Sequence, residues 1–152
     1  MSAFEIVRPF GDRATRTGGS WAYCQVDGRR HLDVELEAIG REMAKADAIM
    51  LGAELEEKMA RAARGALRYG ERADVQHMAC TRSILELRFR TRRGSGGARL
   101  TRLYFTEPAH LDRALISALL ASKQPGRAGL KAQDKQAKSA QRRVDAHVRS
   151  PA

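Results

Sequence analysis

The sequence is poor in cysteine, in aromatic residues and in long apolar runs, and each shortage excludes a class of protein. Its two cysteines, Cys24 and Cys80, form no Cys-x-x-Cys pair and no His/Cys cluster with metal-ligand spacing, which argues against a disulfide scaffold and against a metal site. The longest apolar run, near residues 114–121, is interrupted by Ser117 and is far shorter than a membrane span. The first residues lack the apolar centre of a signal peptide. We therefore expect a cytoplasmic protein with reduced thiols and no membrane partner.

The chain has enough apolar residues for one core. It contains 152 residues, of which 43% are hydrophobic, and this length suits one domain rather than two. Because only 5% of the residues are aromatic, the core has to be built from Leu, Ile, Val, Met and Ala. We predict an N-terminal extension over residues 1–17, a single domain over residues 18–148 and a tail over residues 149–152.

Positive charge is concentrated in the second half of the chain. The formal net charge is +10, and 16 of the 28 Lys and Arg but only 5 of the 18 Asp and Glu lie in residues 82–152. That half therefore carries +11, whereas residues 1–81 carry −1. A charge asymmetry of this size favours binding to a polyanion, with solubility alone as the simpler interpretation.

The spacing of apolar residues predicts an α+β domain. Residues 20–26 are rich in β-forming residues and end at the turn signal Asp27-Gly28. Two helices should follow. Asp33 should cap the first, and the second should carry an apolar stripe from Leu51 to Ala66 and end near Tyr69-Gly70. Strands are expected in ILELRFR (84–90), LTRLYF (100–105) and ALISALLA (114–121), before a final basic helix over 130–148. The helices should pack on an antiparallel sheet.

Two arginines of the predicted hairpin pose an electrostatic problem. Strand alternation places Arg88 and Arg102 on the same polar face, where like charges in cross-strand contact cost stability unless an anion lies between them. A bound phosphate would supply that anion. Tyr104 shares the face, either as a tyrosine at the edge of the core or as a base-stacking platform and proton donor.

Further cations surround this face. The final helix carries a basic ridge with spacing i, i+4, i+7 and i+11, and the segments next to the hairpin add arginines. For Arg90, Arg92, Arg93 and Arg99 a solvated basic face is the simpler interpretation. The full set of candidate RNA-contacting residues is Arg90, Arg92, Arg93, Arg99, Arg127, Lys131, Lys135, Lys138 and Arg142. No Gly-x-Gly-x-x-Gly or Walker-type loop occurs, so no nucleotide cofactor is predicted.

Three segments carry a family resemblance. ILELRFRTRR resembles a strand with an E-L-R motif, RLTRLYF resembles a strand with an R-x-L-Y-F motif, and ALLASKQ followed by GLKAQDKQAKSAQRR resembles an apolar strand, a lysine-rich link and a basic helix. In order and spacing these are similar to the RelE superfamily of bacterial toxins, and more closely to its HigB-like, phage-derived branch in type II toxin–antitoxin systems. The resemblance covers roughly residues 20–147. It implies a RelE-like fold, in which two N-terminal helices pack on a small antiparallel sheet with a C-terminal basic helix.

The same resemblance implies a function. It predicts a metal-independent, ribosome-dependent mRNA endonuclease without a cofactor, neutralised by a cognate antitoxin of helix-turn-helix type that alone connects it to operator DNA. Such cleavage needs a deprotonated ribose 2′-hydroxyl, a stabilised phosphorane charge and a protonated 5′-oxygen. By resemblance, Arg88 and Arg102 stabilise phosphate, Tyr104 stacks or transfers a proton, and Lys123 and Lys131 bind RNA or take part in catalysis. The sequence identifies no general base.

Two other functions stay open. One is a non-catalytic protein on a RelE/ParE scaffold, either a gyrase-targeting toxin or a nucleic-acid-binding module. The other is a basic protein of the ribosome, which would bind rRNA without toxicity.

Overall fold

The computed structural model of the chain describes residues 18–70, 73–94, 96–108 and 114–149. The predicted extension (1–17) and residues 150–152 of the predicted tail lie outside these ranges. The described part contains three helices, α1 (His31–Arg41), α2 (Lys45–Ala63) and α3 (Arg127–Arg149). Its strands are β1 (Ser20–Tyr23), β2 (Gln25–Val26), β3 (Arg29–Arg30), β4 (Val75–His77), β5 (Leu85–Arg88), β6 (Arg92–Gly94), β7 (Gly97–Thr106) and β8 (Ala114–Lys123). Within these ranges no helix combines the length and the apolarity needed to cross a membrane.

Six of the strands form one mixed sheet. Its order is β1-β8-β7-β5-β4, with β6 paired to β7, while β2 and β3 form a separate two-stranded sheet around the predicted turn at Asp27-Gly28. β1 runs parallel to β8, and the other pairings are antiparallel.

The predicted fold class, a RelE-like domain with two N-terminal helices on a small antiparallel sheet, is therefore wrong. Three strands precede the helices, and the sheet is larger and mixed. The error has a physical cause, because apolar alternation shows that a segment is a strand but not in which direction its neighbour runs. Two helices and six other strands lie between β1 and β8 in the described chain, so this pairing is too distant in sequence to be read from a local pattern.

The strands predicted in the second half of the chain are present. Leu87 and Leu103 are opposite each other in β5 and β7, and both are fully buried on the face covered by α1 and α2. Residues 114–121 fall in β8, which confirms the preference for a strand there. α3 covers the opposite face and contributes Ala137, Ala140 and Val144 to a second buried cluster. The sheet is thus the middle of three layers.

The helix ends differ from those predicted. α1 begins after Arg30, which makes no side-chain cap, and Asp33 lies within its first turn rather than capping it. α2 ends at Ala63, well before Gly70, because Gly65 adopts a positive φ of 70° that favours glycine and terminates the helix. Gly18 packs against this end, where a Cβ would lie 2.1 Å from the carbonyl oxygen of Ala63.

A carboxylate on α2 connects that helix to the link between β5 and β6. Glu54 accepts hydrogen bonds from Arg92 Nη1 at 2.6 Å and from the Arg90 backbone N–H at 3.0 Å, and it pairs with Lys58 Nζ at 3.2 Å. Burial raises the pKa of Glu54, but the three donors outweigh burial and hold the pKa below its ordinary value. The charged form of Glu54 therefore anchors the helical layer to the sheet.

We expect Glu54→Gln to lower the free energy of unfolding by about 3 kcal/mol near neutral pH, because the buried Arg92 loses its charge partner. Since the pKa of Glu54 is lower in the folded than in the unfolded chain, its contribution is fully present above the unfolded pKa of about 4.3 and is lost as the pH falls through the folded pKa. Urea denaturation at neutral pH and near pH 3 measures the difference. The exposed Glu56→Gln on the same helix is the control, and an equal loss in both variants at neutral pH contradicts the anchoring role.

Candidate functional site

The strand register brings the four predicted catalytic residues to one face of the sheet. β5 and β7 pair so that Arg88 lies opposite Arg102 and Glu86 lies opposite Tyr104. Lys123, at the end of β8, lies on the same face, where the charges of Glu86, Arg102 and Arg88 act on it. We call Glu86, Arg88, Arg102 and Lys123 the Glu86 cluster. Its members come from three adjacent strands, so the sheet itself fixes their spacing.

The carboxylate of Glu86 lies between the two arginines. Its Oε1 atom is 3.4 Å from Arg88 Nε and 3.5 Å from Arg102 Nε, and only 2% of the Glu86 side chain is exposed. This carboxylate is the anion that the cross-strand arginine pair requires, so the argument that a bound phosphate has to fill that position is wrong. Sequence reasoning missed this role, although the alternation Glu86-Leu87-Arg88 puts both charges on one face and was the available signal.

The first turns of α3 close over the cluster. The side-chain amide of Gln133 donates to Glu86 Oε2, and its carbonyl oxygen accepts from Lys123 Nζ. The helix comes this close to the end of β8 because residue 129 is glycine, since a Cβ there would lie 1.8 Å from the carbonyl oxygen of Gln124. Gln133 was not predicted from the sequence, and its position four residues before Ala137 on the apolar stripe of α3 was the only signal.

Tyr104 is a tyrosine at the edge of the core, one of the two interpretations that the sequence allowed. Its side chain is fully buried, and its hydroxyl donates to Gln136 Oε1 at 3.0 Å. Burial raises the pKa of Tyr104, and the negative charge of Glu86 raises it further. The ring reaches a nucleobase only if the first turns of α3 move away.

The cations of the cluster differ in exposure. The side chain of Arg88 is 28% exposed and donates to Gln76, whereas that of Arg102 is 12% exposed and donates to the carbonyl oxygen of Thr101 at 2.8 Å. Burial lowers the pKa of Arg102, which Glu86 opposes and Arg88 reinforces. Burial also lowers the pKa of Lys123 below 10.5, again with Glu86 opposing and the two arginines reinforcing. With one carboxylate and three cations, the cluster keeps an excess of positive charge that faces solvent mainly at Arg88.

The residues predicted to contact RNA divide into internal and external groups. Arg92 is buried against Glu54, and Arg99 is half-buried with its guanidinium bonded to the Ser122 hydroxyl at 3.0 Å. The interpretation of a solvated basic face is therefore wrong for Arg92. The exposed members are Arg90 before β6 and Arg93 within it, together with Arg127, Lys131, Lys135, Lys138 and Arg142 on α3. These stay predictions as nucleic-acid contacts.

No metal centre is formed by the residues that the structure describes. In those ranges, no group of three or more His, Cys, Asp and Glu side chains is placed to hold an ion. Cys24 is buried, and burial raises the pKa of its thiol to about 11, so it is not an activated nucleophile.

We expect Glu86→Gln to lower the free energy of unfolding by about 3 kcal/mol in sodium chloride, because three neighbouring cations lose their buried counter-charge. Part of this loss should return in sodium sulfate of equal ionic strength, since a sulfate ion that binds between Arg88 and Arg102 replaces the carboxylate. Sulfate stabilises folded proteins in general, so Glu54→Gln serves as the control for a buried carboxylate elsewhere. Equal recovery of the two variants contradicts an anion site at this position.

Comparisons with known proteins found no match to this chain. No family model matches it, and no match was found among curated proteins or among solved structures.

Proposed function

We propose that the protein is a toxin of a type II toxin–antitoxin system, acting in the cytoplasm as a metal-independent, ribosome-dependent endonuclease that cleaves mRNA and blocks translation. The observation that carries the proposal is the convergence of Arg88, Arg102 and Lys123 on one side of a sheet, next to Tyr104. These are the residues that the resemblance to HigB-like toxins selects. The concentration of positive charge in the same half of the chain supports a polyanionic substrate.

The proposed chemistry uses protein cations to stabilise the reacting phosphate. The deprotonated ribose 2′-oxygen attacks the phosphorus, the bond from phosphorus to the 5′-oxygen breaks, and the released 5′-oxygen takes up a proton. Negative charge develops on the non-bridging oxygens during this exchange, and fixed guanidinium and ammonium groups stabilise it. Arg88 should contact the phosphate first, because its side chain is the more exposed of the two arginines. Arg102 and Lys123 then need Glu86 and Gln133 to release them, so substrate binding competes with contacts made inside the protein.

We expect Arg88→Ala to reduce mRNA cleavage by about 100-fold, the usual cost of removing one donor that stabilises transition-state charge. The variant should also abolish growth arrest after induction. The measurement is the mapping of mRNA 5′ ends, together with the rate of translation, in induced cells. Arg64→Ala, which removes an exposed arginine at the end of α2, is the matched control. Undiminished cleavage by a folded Arg88→Ala protein rules out the assigned face.

Lys123 gives the proposal a pH dependence. Because its pKa lies below 10.5, its ammonium group loses its proton at a lower pH than a free lysine, and affinity for RNA should fall as the pH rises through that lowered value. Lys123→Arg keeps its charge and should hold its affinity to higher pH. Fluorescence anisotropy with an oligoribonucleotide made uncleavable by 2′-deoxy substitution measures both curves between about pH 7 and 10. Parallel curves for the two proteins would show that Lys123 does not bind the phosphate.

A second function, a non-catalytic nucleic-acid-binding protein or gyrase-targeting toxin, is favoured by one observation. Glu86, Gln133 and Gln136 already bond to other members of the cluster or to Tyr104, so none of these groups is free to act as a general base without rearrangement. Induced expression separates the two functions. Cut mRNA with a rapid block in translation supports the endonuclease, whereas DNA damage with continued translation identifies a gyrase-directed protein.

The proposal includes a protein partner. A toxin of this type requires a small antitoxin, which we expect to be a helix-turn-helix protein that also binds the operator DNA. Co-expression of the product of a short neighbouring reading frame should restore growth of induced cells. The ribosome and mRNA are the other proposed partners.

A further inference from the structure

One edge of β8 is only partly covered by a neighbouring strand. β1 pairs with β8 from Ala114 to Ser117, and the Cys24 backbone N–H adds a hydrogen bond to the Ser117 carbonyl oxygen at 2.9 Å. Beyond Ser117, among the described residues, no strand pairs with this edge, although β8 continues to Lys123. An uncovered edge presents backbone donors and acceptors that bind another extended chain unless they are blocked.

Side chains bind the uncovered edge in place of a strand. Arg143 Nη1 donates to the Ala118 carbonyl oxygen at 3.0 Å, and Glu35 Oε1 accepts from the Leu120 backbone N–H at 3.0 Å. Further along, the side-chain amide of Gln136 donates to the Ser122 carbonyl oxygen at 3.3 Å. The three groups belong to alternate residues of β8, which is the spacing at which a paired strand makes its hydrogen bonds.

The edge lies at the bottom of a groove between α1 and α3. A cavity of about 400 Å³ has Leu119 and Ala121 on its floor and Glu35 on the α1 side, and its α3 wall includes the cations Lys135, Lys138 and Arg142. A separate, smaller cavity of about 160 Å³ lies beside Ser122 and is lined by Ile39, Glu42 and Met43 on the α1 side and by Arg99 of β7. The groove is therefore basic on its α3 wall, whereas its α1 wall combines the apolar Ile39 and Met43 with the carboxylates of Glu35 and Glu42.

The cations of the groove have no anionic partner in the described part of the chain. Lys135, Lys138 and Arg142 are exposed and take part in none of the ion pairs formed there. Arg142 makes a hydrogen bond of 2.9 Å to the Ser139 hydroxyl, which is neutral. A ligand that fits this site has carboxylates to pair with the three cations and an extended peptide backbone to bind the strand edge.

We propose that this groove binds an extended acidic segment of a partner protein, which adds to the sheet as a strand alongside residues 118–123 of β8. Alternate side chains of the added strand face opposite walls. Its carboxylates meet Lys135, Lys138 and Arg142, and its apolar residues meet Ile39 and Met43. The backbone of the segment takes over the hydrogen bonds now made by Glu35, Arg143 and Gln136.

This site does not rest on the proposed endonuclease, because none of Arg88, Arg102, Tyr104 and Lys123 lines the groove. Lys135, Lys138 and Arg142, which the sequence predicts as RNA contacts, would here bind a peptide instead. The alternating N–H and C=O groups of the edge favour the peptide, because they match a polypeptide backbone and have no counterpart along an RNA strand.

Glu35 controls entry to the groove. Its Oε2 atom accepts from Arg143 Nη1 at 2.9 Å, so the carboxylate holds both the Leu120 N–H and the Arg143 guanidinium. An added strand has to displace this carboxylate, which also repels acidic side chains. Removing the charge of Glu35 should therefore strengthen binding of the segment, the opposite of what the loss of an ordinary binding residue does.

The test uses a fluorescein-labelled, ten-residue peptide of alternating Glu and Val and measures its binding to the full chain by anisotropy. Replacing Lys135 and Lys138 together by Gln should weaken binding roughly fivefold, about 1 kcal/mol for the pair, since each accessible ion pair contributes only about half of that. Glu35→Gln should tighten binding several-fold. Arg64→Gln, an exposed arginine outside the groove, should leave binding unchanged. Thermal unfolding confirms that each variant is folded.

Two further probes separate strand addition from simple charge attraction. A peptide of the same sequence with N-methylated valines keeps its carboxylates but lacks half of its backbone donors, and it should bind at least about tenfold more weakly. A ten-nucleotide uncleavable oligoribonucleotide supplies the competing occupant. The proposal is overturned if the acidic peptide fails to bind, if N-methylation has no effect, or if the oligoribonucleotide binds more tightly with the same dependence on Lys135 and Lys138.

Discussion

The buried carboxylate of Glu86 is the interaction on which the arrangement of the second half of the chain depends. Arg88 and Arg102 face each other across β5 and β7, and Lys123 adds a third cation from β8. Without a negative charge among them, these strands would bring like charges together in a poorly solvated place. Glu86 pairs with the two arginines, and its charge also acts on Lys123. Gln133 connects the same carboxylate to α3, so one residue links the cations of the strands to the helix that covers them.

This arrangement gives the cluster an internal counter-charge in the absence of substrate, although the buried Nε atom of Arg102 lies 3.5 Å from Glu86 without a hydrogen bond. A phosphate gains affinity only to the extent that it stabilises Arg88 and Arg102 better than Glu86 does, so its binding energy is a difference between two similar interactions. Arg88 is accessible at once, whereas Arg102, Lys123 and Tyr104 need a change in the first turns of α3. The cations of α3 that line the groove between α1 and α3 differ from these buried groups, because they are exposed without any change in structure.

The parts of the fold and site that the sequence predicts are those with local signals. Strand alternation placed Arg88 opposite Arg102 on one face, and the short apolar run at 114–121 indicated a strand. The sequence did not show the internal roles of Arg92 and Arg99, because their partners, Glu54 and Ser122, come from other elements. In the sequence, a buried, paired arginine on a basic segment cannot be told from an exposed one. The parallel direction of β1 likewise depends on contacts between distant residues.

The position of β8 in the sheet has a consequence for the order of folding during synthesis. β8 is the last strand of the described chain, yet it lies between β1 and β7 and pairs Ser20 with Ala114, residues made far apart in time. Long-range pairings of this kind form late, because the loop that they close is large. The apolar faces of α1, α2 and β1 therefore stay partly uncovered until β8 has been made. The cationic face acquires Lys123 and its cover of α3 only after the segment that ends at Arg149 has been made. A truncated product would carry the arginines of the hairpin without the strand and helix that organise them.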